Sequence, residues 1–210
     1  MLRFNEGNGT QMRAQVGMIG KKRLVLCAAC LFFFIFSGCG KSFDTTTLEL
    51  GKDGTVILHI NEPFDESLYD FDELCAMNEK EVNAYNLAHD TKPVSIKKSE
   101  IVDKRAIIDI EYKEDDAYYD MNGTVLFYGD CKSARSAGYN LVGKVRSTSD
   151  ASELDQKTWK NMTDEKVAII SEPIDVSMPG EIIYMGDGVK LTSRNTVTVD
   201  DGGLRYIICK

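Results

Sequence analysis

Apolar and polar residues alternate in two pairs of short segments in the first half of the chain. Thr46–Leu50 and Thr55–Ile60 flank a turn at residues 51–54, and Val94–Ile101 and Arg105–Tyr112 form the second pair. Runs rich in β-branched residues on either side of a Gly/Asp turn are typical of β-hairpins. The period of two places alternate side chains on opposite faces of each strand. The pattern therefore predicts two antiparallel hairpins.

Each predicted hairpin is followed by acidic residues and then by helical spacing of apolar side chains. Asp65 is predicted to cap a helix that runs to about residue 88, with apolar positions at Leu68, Phe71, Leu74, Cys75, Val82 and Tyr85. Residues 114–116 are predicted to open a shorter helix that carries Tyr118, Tyr119 and Met121. The repeat predicts an α+β fold with a ββα-ββα layout, in which an antiparallel sheet has helices packed on one face. The first helix is expected to cover Val56, Leu58 and Ile60.

The second half of the chain changes character twice. A strand at Val125–Tyr128 and a short helix capped by Asp130 complete an α+β domain over residues 46–145. Residues 146–165 are polar and predict a linker with a short helix, in which Trp159 is the one large apolar side chain. Residues 166–210 predict a small all-β region that packs on the first domain, because short strands there are separated by Pro and Gly. The strands expected in this region are Val167–Ser171, Ile174–Met178, Glu181–Gly186, Lys190–Thr192, Thr196–Val199 and Leu204–Ile208.

The first forty residues have the pattern of a secretory signal. Lys-Lys-Arg at residues 21–23 precedes thirteen uncharged residues, Leu24–Phe36, a run too short to cross a membrane as a helix, which takes ~20 residues. Ser37-Gly38-Cys39 follows and resembles the lipobox of bacterial lipoproteins. The resemblance implies a signal peptide at residues 1–38, cleavage between Gly38 and Cys39, a lipid such as palmitate on Cys39, and a short tether at residues 39–45. The alternative is an ordinary signal peptide cut near a cysteine, and either Met1 or Met18 can be the initiator.

The negative net charge of the chain bears on how it can attach to a membrane. The net charge is −8 and the isoelectric point is about 4.9, which exclude a nucleic-acid-binding protein. The predicted signal peptide is net basic, so its removal leaves a still more acidic chain. Anionic headgroups repel such a surface, and attachment must therefore come from the acyl chains on Cys39. We expect the protein at the cell membrane, lipid-anchored on the extracytoplasmic face.

Few residues suggest chemistry. His59 and His89, the two histidines, are expected to be a surface side chain and a helix-end side chain. The sequence contains no G-x-S-x-G nucleophile elbow and no H-E-x-x-H zinc-protease motif, and it predicts no catalytic residue, metal ligand or cofactor. Two acidic groups, at residues 65–73 and 114–120, would converge only if their helices are neighbours. Cys27 and Cys30 have redox spacing but lie within the signal.

Three further cysteines, Cys75, Cys131 and Cys209, lie outside the signal and lack metal-ligand spacing. Buried free thiols and a single disulfide both remain open for them.

The C-terminal segment carries a family resemblance. Met178-Pro179-Gly180-Glu181, then an apolar strand, a Gly turn and Asn195-Thr196-Val197-Thr198-Val199, is similar to the end of LppM-type lipoprotein domains. More broadly, residues 46–210 resemble uncharacterised lipoproteins of clostridia-like bacteria, in which Asp53-Gly54 and Phe127-Tyr128-Gly129 recur. The resemblance implies an extracytoplasmic, non-catalytic domain with lipid or glycolipid as a candidate ligand. The C-terminal membrane helix of some LppM-like chains is not expected here.

The sequence thus favours a lipid-anchored extracytoplasmic protein with a non-enzymatic binding or scaffolding role. Its ligand-binding residues and its protein partners are unknown at this stage. The alternative is a cell-envelope hydrolase without a recognisable motif. A cavity lined by clustered titratable groups would favour the enzyme, whereas an apolar cavity would favour the binding protein.

Overall fold

A computed structural model of the chain describes residues 43–200 and 202–210. Within these residues the fold is α+β, as predicted, with twelve strands in two sheets and four helices. The strands are β1 (Thr47–Leu50), β2 (Val56–Pro63), β3 (Val94–Val102), β4 (Arg105–Tyr112), β5 (Leu126–Asp130), β6 (Val145–Ser147), β7 (Lys166–Ile170), β8 (Asp175–Ser177), β9 (Ile182–Gly186), β10 (Val189–Leu191), β11 (Thr196–Val199) and β12 (Arg205–Cys209). The helices are α1 (Phe71–Leu87), α2 (Asp115–Asn122), α3 (Cys131–Ser136) and α4 (Gln156–Asn161).

The twelve strands pair in an order that mixes the two halves of the chain. One sheet has seven strands in the order β10-β11-β8-β1-β2-β4-β3, and the other has five in the order β5-β7-β12-β9-β6. All pairs are antiparallel except β1 with β8, which is parallel. The strands of residues 166–210 therefore do not form a separate β region beside the first domain. They complete both sheets.

The seven-stranded sheet shows the alternation that the sequence predicted. Along β4 every second residue is buried, including Ile108, Ile110 and Tyr112, and in β2 Val56 and Leu58 lie on the same side. These side chains enter one hydrophobic core together with Ala168, Ile170 and Ile207 of the five-stranded sheet. The opposite face of the seven-stranded sheet carries mainly polar side chains, among them Glu49, His59 and Asp109.

The five-stranded sheet is apolar on both faces, and this explains why its central strand β7 is a continuous apolar run. Val167, Ala168, Ile169 and Ile170 of β7 are all fully buried, because one face meets the first core and the other meets a second core under α3 and α4. A continuous apolar run is what a strand covered on both faces requires. The two sheets thus share the first core, and α3 and α4 cover the outer face of the smaller sheet.

The first helix begins later than predicted. Asp70, not Asp65, is its N-cap, and the Asp70 carboxylate accepts hydrogen bonds from the amides of Asp72 and Glu73 at 2.8 and 3.2 Å. Asp65 instead accepts from the amide and hydroxyl of Ser67 at 2.9 and 2.7 Å, which closes a local turn. Leu68 therefore lies in a loop rather than on the helix. Val82 is the one buried residue of α1.

The segment predicted as a linker is part of the second core. Residues 145–147 form β6, α4 spans residues 156–161, and the side chains of Leu154, Trp159 and Met162 are buried beside Cys131 and Ala134 of α3. Asp155 caps α4 by accepting a hydrogen bond from the amide of Thr158 at 2.8 Å. A polar sequence with a few well-placed apolar side chains thus serves as a covering layer.

The predicted signal peptide, its cleavage site between Gly38 and Cys39, and the lipidation site Cys39 lie outside the described residues. The same is true of Cys27, Cys30 and the alternative initiator Met18. Within the described residues, every helix is too short or too polar to cross a bilayer.

Candidate functional site

The loop between β2 and α1 forms an open apolar cleft at one end of the seven-stranded sheet. We call it the aromatic cleft and define it by its apolar lining residues: Pro63, Phe64, Leu68, Tyr69, Leu74 and Met77. Its volume is about 500 Å³, and two adjoining hollows of about 600 and 620 Å³ extend it along residues 65–72 and towards Lys104 and Ile101. A concave apolar surface with polar groups at its edge is typical of a binding site.

Large apolar side chains of this cleft face solvent. Leu68, Tyr69 and Met77 are 72%, 66% and 54% exposed, whereas Phe64 of the cleft and Phe71 of an adjoining hollow are half-buried. The ring centroid of Phe64 lies 5.6 Å from that of Phe71 in an edge-to-face arrangement and 6.2 Å from that of Tyr69. Single exposed apolar residues are ordinary, but a contiguous group around a hollow marks an interaction surface.

The backbone on both sides of the cleft is held in place. The amide of Phe64 donates to the carbonyl of Lys104 at 2.8 Å, which ties the loop to the turn between β3 and β4. Asp103 and Lys104 both have positive φ, at 50° and 61°, as a two-residue hairpin turn requires. The hydrogen bonds from Ser67 hold the pKa of the Asp65 carboxyl below its usual value. The cleft is therefore preformed by local hydrogen bonds.

The polar face of the same sheet places His59 between two carboxylates. Its Nδ1 lies 2.8 Å from Oδ1 of Asp109 on β4, and its Nε2 lies 3.1 Å from Oε2 of Glu49 on β1. Burial lowers the pKa of His59, but the hydrogen bonds and charges of Asp109 and Glu49 outweigh that effect and raise it overall. His59 lies opposite the apolar face, as predicted, yet it is half-buried and cross-links three strands rather than being a free surface side chain.

Both histidines already contact other groups of the fold. Both ring nitrogens of His59 contact carboxylates, so neither is positioned to take a proton from a hydroxyl or thiol nucleophile. His89 lies just beyond the end of α1, as predicted, where its ring stacks on Tyr85 and its Nδ1 is 2.8 Å from the Tyr85 carbonyl. Among the described residues no group of His, Cys, Asp and Glu is placed to hold a metal ion.

The chain that follows the predicted lipidation site is docked on the seven-stranded sheet from Phe43 onward. The Phe43 ring packs on His59 with centroids 4.8 Å apart, and the Asn61 side-chain amide donates to the Phe43 carbonyl at 2.7 Å. Thr45 donates to Asp175 of β8 at 2.6 Å. The predicted tether at residues 39–45 is thus held to the sheet over its last three residues.

The two acidic groups of the sequence do not converge. Tyr85 donates to Asp120 at 2.9 Å, so α1 and α2 are neighbours at the C-terminal end of α1. The acids of residues 65–73 lie at the other end of that helix, ~20 Å away at 1.5 Å per residue. Burial raises the pKa of Tyr85 to about 12, and the Asp120 hydrogen bond and charge add to this shift. This pair therefore joins two helices and does not form an acidic site.

All three cysteines of the described residues are free thiols. Cys131 and Cys209 are buried and Cys75 is half-buried, so the free-thiol alternative describes this structure. Burial raises the pKa of the Cys131 thiol to about 12 and raises that of Cys209 as well. Thiols held protonated in this way behave as small apolar side chains.

The residues that carry the family resemblance lie in strands β5 and β11 and in turns beside other strands. The Met178 amide donates to the Asn195 carbonyl at 2.8 Å, and the Asn195 side-chain amide donates to the Met178 carbonyl at 3.1 Å, which joins the end of β8 to the start of β11. Asp53-Gly54 form the turn before β2, where Gly54 has a φ of 94°. Comparisons of the chain with protein-family models, with curated proteins and with solved structures give no significant match.

The helical spacing of the sequence predicted Leu68 to be an apolar position of the first helix. In the structure Leu68 and its neighbour Tyr69 are exposed in the loop, whereas Tyr118 of α2 is buried. The signal for the loop was present in the sequence as Asp65-Glu66-Ser67, since Asp followed two residues later by Ser favours a local turn. A second capping residue, Asp70, then starts the helix five residues later.

Proposed function

We propose that the protein is a lipid-anchored extracytoplasmic binding protein without catalytic activity, and that it binds its ligand in the aromatic cleft. The observation that supports the binding role is the cleft itself, a preformed hollow with three exposed large apolar side chains, Leu68, Tyr69 and Met77. The anchor rests on the sequence alone, through Lys-Lys-Arg, the apolar run and Ser37-Gly38-Cys39.

The tether brings the cleft close to such an anchor. Since Phe43 is held to the sheet, at most four residue steps separate it from Cys39, and these span no more than about 14 Å when fully extended. Phe43 contacts Asn61 of β2, and the cleft begins at Pro63 and Phe64, two and three residues further along the chain. Both features therefore belong to one end of the seven-stranded sheet. A protein lipidated at Cys39 would hold its cleft near the bilayer surface.

The absence of an arranged nucleophile within the described residues supports a binding role over the hydrolase alternative. The two carboxylates that flank His59 engage both of its ring nitrogens, and the buried thiols Cys131 and Cys209 have raised pKa values, whereas a reactive cysteine needs a lowered one. The carboxylates at the cleft are exposed and lie on the loop and in the first turn of α1. Exposed charged groups beside an apolar hollow are typical of recognition surfaces.

The anchor is tested by fatty-acid labelling of cells that produce the full chain. We expect Cys39→Ala to lose the label and to leave the membrane fraction in detergent partitioning. Cys30→Ala is the matched control, because it removes another cysteine of the N-terminal region and should leave labelling unchanged. Equal labelling of the Cys39→Ala chain would refute the lipoprotein assignment.

The cleft is tested by placing a photocrosslinking phenylalanine analogue at Tyr69 of the membrane-anchored chain. We expect discrete adducts after irradiation, because this side chain projects from the cleft. The matched control places the analogue at Tyr119, which is 51% exposed on α2 and distant from the cleft. If the two positions give the same adducts at the same yield, the cleft is not the binding surface.

A further inference from the structure

We propose that the aromatic cleft binds a cationic segment of a partner protein that presents apolar side chains between arginines or lysines. This inference rests on the proposed binding function of the same cleft and names the chemistry of its occupant. It follows from the charges around the cleft and from what each carboxylate already contacts.

Carboxylates surround the apolar surface on the loop side. Asp65, Glu66, Asp70, Asp72 and Glu73 line the cleft and its adjoining hollows, and Lys104 is the one basic residue among the described lining residues. Such an excess of one sign within a few ångströms of an apolar hollow attracts the opposite charge and sets the choice of partner.

Three of these carboxylates have no partner among the described residues. The side-chain carboxylates of Glu66, Asp72 and Glu73 accept no hydrogen bond and form no ion pair there, and these side chains are exposed. Asp65 and Asp70 are satisfied locally by Ser67 and by the first amides of α1. The unpaired carboxylates are therefore free to accept hydrogen bonds from an incoming cation without losing contacts.

The same arrangement disfavours an anionic occupant. The amides at the N-terminus of α1 would normally attract a phosphate or carboxylate, but the carboxylate of Asp70 already accepts from two of them. A phosphate headgroup would find neither of these two amides free, and it would be repelled by several carboxylates. An anionic bilayer surface is repelled for the same reason.

The side chain that fits best is arginine. A guanidinium can bind Glu66 or Asp72 through two parallel hydrogen bonds while it stacks on the exposed face of Tyr69. Cation–π contacts of this kind are favourable within ~6 Å of the ring centroid. Neighbouring leucine or phenylalanine side chains of the partner would then enter the hollow between Phe64, Leu74 and Met77.

The test uses the full chain reconstituted in vesicles of phosphatidylcholine, which has no net charge, and a fluorescent synthetic peptide of arginines and leucines. We expect saturable binding that weakens at least tenfold between 50 and 300 mM salt, as exposed charge pairs are screened. A peptide with glutamate in place of arginine, and one with serine in place of leucine, should each bind at least tenfold more weakly. Equal binding of the glutamate peptide would overturn the proposal.

Matched variants assign the binding to the cleft. Glu66→Gln/Glu73→Gln should weaken the arginine–leucine peptide about tenfold, whereas Glu79→Gln/Glu81→Gln, which removes two charges further along α1, should leave it within about twofold. Leu68→Ser/Tyr69→Ser should abolish binding, and Leu87→Ser/Tyr119→Ser, which alters a leucine and a tyrosine exposed elsewhere, should not. Circular dichroism melts of all four confirm that they remain folded. Equal losses in the control variants would overturn the proposal.

Two further measurements separate this inference from the proposed function. If dodecyl maltoside, a glycolipid analogue, binds in a Leu68- and Tyr69-dependent manner and the cationic peptide does not, the cleft is a glycolipid site and the cationic partner is refuted. If Leu68→Ser/Tyr69→Ser instead weakens attachment of the chain to phosphatidylglycerol vesicles, the occupant is the bilayer surface, which also refutes it. If no probe depends on the cleft, the proposed binding function falls as well.

Discussion

Replacing Trp159 tests whether residues 146–165 act as a linker or as part of the core. Trp159 is 2% exposed, and its side chain lies among Leu154, Met162 and Cys131 in the second core. The Arg135 guanidinium packs over its ring at 5.2 Å from the centroid and donates to the Trp159 carbonyl at 2.7 Å. The indole therefore contributes to the contact between α3 and α4, whereas a linker side chain would contribute little.

The expected loss follows from the burial of the ring. Truncating a buried tryptophan to alanine costs ~3–5 kcal/mol, because the apolar contacts are lost and a cavity remains. At a urea m-value of ~2 kcal/mol per molar, this corresponds to a midpoint lower by about 1.5–2.5 M. Lys157→Ala on the exposed side of the same helix should change the free energy of unfolding by no more than ~0.5 kcal/mol.

Urea unfolding of the detergent-solubilised full chain, followed by far-ultraviolet circular dichroism, measures both variants. Circular dichroism is needed because Trp159 is the sole tryptophan of the chain, and its fluorescence is lost on substitution. Trp159→Phe, which retains an aromatic ring, should lie between Trp159→Ala and the parent chain. If Trp159→Ala and Lys157→Ala have the same midpoint, α4 does not stabilise the sheet and the segment is a linker after all.

Three other outcomes are expected from the structure. Leu74→Ala should lower the free energy of unfolding by ~1–2 kcal/mol, which is less than for a fully buried leucine because this side chain is half-buried. Glu79→Ala should change it by under ~0.5 kcal/mol. Equal urea midpoints of the two variants would mean that α1 is not docked on the sheet. Native-state alkylation with mass spectrometry should modify Cys75 well before Cys131, whose burial raises its pKa to about 12, and labelling of both at one rate would contradict this packing. The raised pKa of His59 contributes stability that is fully present below the unfolded pKa of ~6.5 and is lost as pH rises through the folded pKa. His59→Gln should therefore flatten the fall of the urea midpoint above pH ~6.5. An unchanged dependence of the midpoint on pH would refute this.

Several local elements could be read from the sequence, because their determinants lie within a few residues of each other. The alternation in β4 identifies its buried face without knowledge of its neighbours, and the Asp130 carboxylate caps α3 by accepting a hydrogen bond from the Ser133 amide. The predicted start of α1 was wrong because two aspartates, Asp65 and Asp70, are both suitable N-caps. Asp65 is used by a turn with Ser67, and only Asp70 accepts from the first amides of the helix.

The aromatic cleft could not be predicted because the predicted start of α1 was wrong. Leu68 has helical spacing with Phe71 and Leu74, and it would be a covering side chain if the helix began at Asp65. With the helix starting at Phe71, the loop turns Leu68 and Tyr69 outward. The site thus depends on a five-residue shift of one helix start, which decides whether two apolar side chains are core or surface.

By itself the sequence determined the local pattern: two hairpins, each followed by a helix, a β-rich end, and a basic cluster and an apolar run that precede Ser37-Gly38-Cys39. Only the tertiary structure decided that β8, β10 and β11 belong to the seven-stranded sheet, whereas β7, β9 and β12 belong to the five-stranded sheet. Strand partners far apart in sequence are chosen by the fit of whole apolar faces, and that information is spread over both halves of the chain. Trp159 illustrates the difference, since its surroundings are polar in sequence and apolar in space.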